Sequence, residues 1–167
     1  GTGSSAIQAV PVIAEQAAHL TVFQRTANFS VPAHNSLLSP EQRAWFRKNY
    51  PEVRRFAREE TRNGIYMKLP ERGALDDNEN ERRARYEAGW QHGGTVFMGV
   101  YNNVLLDKAA NDTAADFVRS KIAEIVKDPT TAKLLQPDSH PIGTKRICVD
   151  TDYFATFNRP NVSLVDI

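Results

Sequence analysis

Two clusters of residues in this chain have the types and spacing to do chemistry on an anionic ligand. The first is the opening stretch Gly1-Thr2-Gly3-Ser4-Ser5-Ala6, which fits the pattern G-x-G-x-x-G/A. The first glycine permits a tight turn, the second lets backbone approach a pyrophosphate, and the small third residue allows close helix–sheet packing. A helix that starts behind such a loop turns its free N–H groups toward the anion. Ser4 and Ser5 add hydroxyls that can cap the helix or touch phosphate, and Gln8 follows within the first turns.

About twenty residues on, a dinucleotide site that reads NAD carries an acid for the ribose 2′-hydroxyl. This chain has Arg25 and Thr26 there. A guanidinium forms a bidentate pair with a 2′-phosphate, so the choice favours NADP over NAD. The second cluster is Lys145-Arg146, two adjacent cations behind a Gly-Thr turn and before a strand candidate. Such a pair suits anion binding at the edge of a sheet.

The elements that must hold these residues follow from periodicity. Ala6 to Leu20 reads as a helix with Ile7, Val10, Ile13, Ala14 and Ala17 on one face, and Pro11 predicts a kink or a shifted start. Leu20 to Gln24 reads as a buried strand. Ser39, Pro40 and Gln42 predict a capped helix broken at Pro51, then a second stretch to about Arg62. "NENERRARYEAGW" is a polar helical stretch ended by the glycines of "GWQHGG". The segment from Asp112 to Pro129 predicts a helix capped by Asp112, with Phe117, Val118, Ile122, Ile125 and Val126 buried. A loop then leads to strand candidates "RICVD" and "VSLVDI".

This order predicts an α/β, Rossmann-like dinucleotide-binding fold with a largely helical insertion. The expected layout is one domain over 1–167, with loop, helix and strand in 1–35, the insert in 36–136, and the returning loop and strands in 137–167. In such a fold a strand precedes the glycine loop, so the chain reads as a segment whose first strand is supplied from outside.

Composition limits the function classes. With 21 Lys+Arg against 20 Asp+Glu the formal charge is +1, which argues against whole-molecule attraction to nucleic acid or an anionic membrane. No apolar run approaches the roughly 20 residues of a membrane span. The single cysteine, Cys148, excludes an internal disulfide and fits a reducing, cytoplasmic setting. Flanked by Ile147 and Val149, it reads as a buried structural thiol. The histidines lack ligand spacing, and a possible calcium loop from Asp76 to Glu87 has Glu81 where the sharp turn needs glycine, so no metal is expected. The arginines and aromatics between Trp45 and Phe56 alternate with glutamates, which predicts an amphipathic helix with a salt-bridged face.

At "GTGSSAIQ", "HLTVFQRTANFSVPAHN" and "HPIGTKRICVDTDYFATFNRPNVSLVDI" the chain resembles flavin-dependent Baeyer–Villiger monooxygenases of the cyclohexanone and phenylacetone monooxygenase type. The likeness is close over residues 1–35 and 140–167 and looser through the insert. Ala6 replaces the family's usual glycine, and the family signature Phe-x-Gly-x-x-x-His, upstream of this loop, lies outside the chain.

The resemblance implies a two-cofactor enzyme. NADPH reduces a bound FAD, oxygen adds to the flavin, and a ketone is converted to an ester or lactone. The chain then corresponds to the NADP-binding part, inactive alone, with FAD held mainly by flanking segments. Gly1, Thr2, Gly3, Ser4, Ser5, Ala6 and Gln8 fall in the cofactor-binding region, and Arg25, Thr26 and Lys145 would contact the 2′-phosphate. Arg146 would be the active-site arginine that stabilises negative charge on the oxygenated flavin and the adduct. In extended backbone these neighbouring cations project to opposite sides, so Lys145 would serve the nucleotide and Arg146 the flavin. Two readings compete: an N- or S-oxygenating flavin monooxygenase, and a non-catalytic nucleotide-binding regulatory module.

Overall fold

The computed structural model describes residues 1–61 and 64–167. Helix α1 (Ser4–Gln16) begins directly behind the glycine loop, two residues earlier than periodicity predicts. It ends four residues before Leu20 because Ala17 turns extended, which frees the chain to enter a strand. The helix runs through Pro11, whose missing N–H costs one hydrogen bond. Burial of Ile7, Val10 and Ala14 on one stripe offsets that loss. Ile13, expected in the stripe, is 46% exposed.

Strand β1 (Leu20–Gln24) pairs in parallel with β4 (Val162–Asp166), from Leu20 opposite Val162 to Gln24 opposite Asp166. Two shorter strands, β2 (Ser30–Pro32) and β3 (Cys148–Asp150), form a second parallel pair. α1 packs against both β1 and β3, so one helix spans the two strand pairs. β1 is not buried on both faces as expected: Val22 and Gln24 face inward, while Phe23 is 52% exposed. The strand expected from Arg146 begins only at Cys148, because ladder pairing starts where Ser30 faces Cys148. β2 was not foreseen, since three residues are too few to show alternation.

The insert is helical. α2 (Pro40–Glu59) opens with the expected capping box between Ser39 and Gln42. It continues through Pro51 instead of breaking there. One missing bond is tolerated in a helix carrying an ion-pair network, in which Arg55 holds Glu52 at 2.6 Å and Glu60 at 2.8 Å. The end expected near Arg62 lies outside the described residues. α3 (Glu79–His92) starts at an Asn78–Glu81 capping box and stops at Gly93. α4 (Lys108–Ile125) is capped by Asp107, not Asp112; Asp112 instead pairs with Lys108 one turn earlier, at 2.6 Å. Pro129 does more than end α4, for with Asp128 as cap it starts α5 (Pro129–Leu135). The short α6 (Tyr153–Thr156) lies between β3 and β4. No helix among the described residues is long and apolar enough to cross a membrane.

The core of the insert is aromatic. Tyr86, Trp90, Phe97, Tyr101 and Phe117 meet with ring centroids 5.4 to 6.2 Å apart. Its polar edge is Asp77, whose side chain is 1% exposed. The Tyr101 hydroxyl donates to it at 2.6 Å, Arg85 pairs with it at 2.8 Å, and Arg72 also pairs with it. The Tyr101 bond, followed by the two guanidinium charges, holds the Asp77 carboxyl below the usual carboxylate range. A carboxyl with a lowered folded-state pKa adds stability above the unfolded value of about 3.9, and that stability is lost as pH falls through the folded value. Asp77→Asn is therefore expected to flatten the loss of stability on acidification below about pH 4, read as urea midpoints against pH. Parallel curves for the two proteins would contradict this role.

Candidate functional site

The glycine loop is bonded to one arm of the chain and lies beside another. On one side the Thr2 hydroxyl, buried, donates to the Thr26 carbonyl at 2.9 Å. This fixes the loop against the end of β1, where Arg25 projects as an exposed residue. On the other side the Ser4 hydroxyl is within hydrogen-bonding reach of Cys148, two residues past Arg146. The Asn28 amide also donates to the Cys148 sulfur, at 3.2 Å, and the Cys148 N–H donates to the Phe29 carbonyl at 3.2 Å. The thiol is buried, and burial pushes its pKa up. It is a neutral structural anchor joining α1, the β1–β2 connection and the approach to β3.

The N-terminus of α1 is left open. Its cap residue, Gly3, supplies no side-chain bond, and no acid occupies the first turn. The first-turn N–H groups and the positive end of the helix dipole are thus available to an anion. Neither glycine of the loop is required by the protein's own packing. A Cβ built on Gly1 or Gly3 meets nothing within 4 Å, and Gly3 has an ordinary φ of −85°. The bare backbone faces open space, which is what a pyrophosphate approaching the loop needs. Ala6 is half-buried where α1 packs on the core, and Ser5 is exposed.

Lys145 and Arg146 lie in the exposed segment that leads into β3. Among the described residues no carboxylate pairs with Arg25, Lys145 or Arg146, although arginines elsewhere in the chain form ion pairs. Exposed, unpaired cations and an uncapped helix start are each features that attract an anion. His140 stands edge-on to Phe29 at 5.5 Å. Burial first, then the charges of Lys145 and Arg119, lower its pKa, so it is neutral at neutral pH. The buried thiol expected at Cys148 is present, whereas His140, without a ligand-like spacing, gives no signal in the sequence.

Gln8 is placed apart from the cations. It lines a cleft of about 580 Å³ between α1 and α6, with Glu15, Asp150, Asp152 and Arg159. None of the other candidate residues lines that cleft. Asp150 accepts from the Ser30 hydroxyl at 2.5 Å and from the Tyr153 N–H at 3.1 Å. Burial raises its pKa above the usual carboxylate value. In the stretch from Asp76 to Glu87, Asn78 caps α3 as a helix start, Asp77 pairs with arginines and Glu87 pairs with Lys121.

No protein-family model matches the chain. Among known proteins, it is 40% identical over 168 residues to the 2-oxo-Δ3-4,5,5-trimethylcyclopentenylacetyl-CoA monooxygenase of Pseudomonas putida, covering 100% of this chain and 31% of that protein. It is 39% identical to the phenazine N-monooxygenase PhzNO1 of Lysobacter antibioticus and 37% identical to the cyclohexanone 1,2-monooxygenase of an Acinetobacter species, again over 100% of this chain and 31% of each. A solved structure of oxidized steroid monooxygenase bound to NADP superposes with a TM-score of 0.92 at 49% identity, covering 99% of this chain and 32% of that one. The chain is thus homologous over its full length, helical insert included, to a segment of the Baeyer–Villiger monooxygenases. It spans about a third of the length of the curated relatives it matches.

Proposed function

We propose that this chain is the NADP(H)-binding segment of a flavin-dependent monooxygenase that inserts one oxygen atom of O2 into a ketone to give an ester or lactone. The observation that carries the reading is the uncapped start of α1, tied through Thr2 to Thr26 beside the unpaired Arg25. The proposed layout is a single unit over 1–167, with residues 1–35 and 137–167 forming the nucleotide site and 36–136 inserted between them.

The fold supports a Rossmann-like arrangement. Among the described residues β1 is paired on one edge only, by β4, while α1 packs across β1 and β3. A further parallel strand entering the glycine loop would lie beside the free edge of β1 and complete a sheet under α1. In the intact protein such a strand, and the segments that hold FAD, would come from the flanking chain. Location in the cytoplasm fits the single reduced thiol of Cys148.

The residues present fit an NADP nucleotide. The backbone N–H groups at Gly3, Ser4 and Ser5 would receive the pyrophosphate, with Gly1 and Gly3 giving it room. Arg25 would pair with the 2′-phosphate in bidentate fashion, Lys145 would add a second cation, and Thr26, positioned through its own carbonyl, would offer its hydroxyl. NADPH, when bound, supplies hydride to the flavin. Lys145 sits in a bend and not in extended backbone, so the expected division between the two cations rests on the resemblance alone: Arg146 would face the flavin and stabilise negative charge that develops at the reacting oxygen atoms. A second reading, N-oxygenation, is supported by the identity to an N-monooxygenase. A ketone and a heteroatom substrate would share the nucleotide site, and the substrate pocket would distinguish them.

The test uses the full-length protein that carries this segment. Arg25→Ala is expected to reduce the preference for NADPH over NADH by about tenfold, which corresponds to about 1.4 kcal/mol. Unchanged discrimination would remove the 2′-phosphate assignment. Arg146→Ala is expected to keep both cofactors bound, by flavin absorbance and NADPH titration, and to lose ester formation. Retained ketone oxidation would assign catalysis elsewhere.

A further inference from the structure

We infer that Asn111, a buried residue of α4 in the helical insert, is a positioning residue for the nucleotide site, because it fixes the segment from which Lys145 and Arg146 project. The inference rests on the reading of that segment as a 2′-phosphate site. Residues 136–147 contain no helix or strand of their own, so something else must set their path. Both backbone polar groups of Ile142 are taken by one side chain. The Asn111 amide nitrogen donates to the Ile142 carbonyl at 2.8 Å, and its oxygen accepts from the Ile142 N–H at 3.1 Å. The same nitrogen donates to the Val104 carbonyl at 2.9 Å. Asn111 is 6% exposed and Ile142 fully buried, so water cannot replace these bonds.

The turn that follows is locked in the same way. Thr144 donates to the Pro141 carbonyl from its N–H at 3.3 Å and its hydroxyl at 2.8 Å. Gly143 has a φ of +86°, and a Cβ on it would lie 2.4 Å from Leu105 Cδ2. The turn is therefore seated on Leu105, next to the Val104 that Asn111 also grips. Lys145 is only three residues past Ile142, a reach of about 10 Å at most. A buried amide in the insert thus sets where the two cations begin. The role needs an amide: an apolar residue would strand three buried backbone groups, and a carboxylate would lose both donations.

The experiment measures dissociation constants of NADPH and NADH in the full-length protein for wild type, Arg25→Ala, Asn111→Ala and Leu105→Ala. Asn111→Ala is expected to weaken NADPH by about tenfold and NADH by less than about twofold, so the preference ratio falls with the fold retained by circular dichroism. Leu105→Ala, a change at a mostly exposed side chain, is expected to lower the same ratio by about two- to threefold. If Arg25→Ala leaves the ratio intact, the phosphate reading itself fails. If Arg25→Ala lowers the ratio but folded Asn111→Ala keeps it, or weakens both nucleotides equally, the positioning role is overturned. Should Asn111→Ala not fold, an unchanged ratio in Leu105→Ala overturns it.

Discussion

The arrangement depends on the 2.9 Å hydrogen bond from the Thr2 hydroxyl to the Thr26 carbonyl. It ties the glycine loop to the residue that follows Arg25 at the end of β1. With it, an open helix N-terminus and an unpaired guanidinium are presented to the same region of solvent. The bond is part-buried, and losing it would remove the side-chain tie between the loop and the end of β1. On the opposite arm, Cys148 is held by the Asn28 amide and the Phe29 carbonyl.

The insert has a part in the site although it holds none of the proposed ligand contacts. Its aromatic core and the buried Asp77–Tyr101 bond keep α3, α4 and the 98–106 loop in one body. That body ends in Asn111 and Leu105, which hold the turn before Lys145. α2 stands out by contrast. It has no buried residue, its ion pairs gather on Arg55, and Trp45, Phe46 and Tyr50 remain exposed along it.

What could be read in the sequence were features with local causes. The capping box at Ser39 involves residues three apart, β1 is dense in β-branched and aromatic side chains, and β4 is mostly apolar; all three are present. The failures have non-local or competing causes. Pro51 looked like a break because its cost is local, whereas the ion pairs around Arg55 that offset it are spread along the helix. Asp107 caps α4 in place of Asp112 because cap choice depends on where the preceding loop enters. The cations and glycine loop were legible as types and spacing. The bonds that gather them, Thr2 to Thr26 and Asn111 to Ile142, join residues 24 and 31 positions apart and leave no periodic trace.

The central claim is that this site recognises a nucleotide through its 2′-phosphate. Its most direct measurement is competition against NADPH in the full-length protein by adenosine 2′,5′-bisphosphate and by adenosine 5′-monophosphate. These differ by the one phosphate that Arg25 and Lys145 are proposed to bind. The account predicts that the bisphosphate binds at least about tenfold more tightly, with an advantage that shrinks as salt screens the exposed cations. Equal affinities at low salt would contradict it.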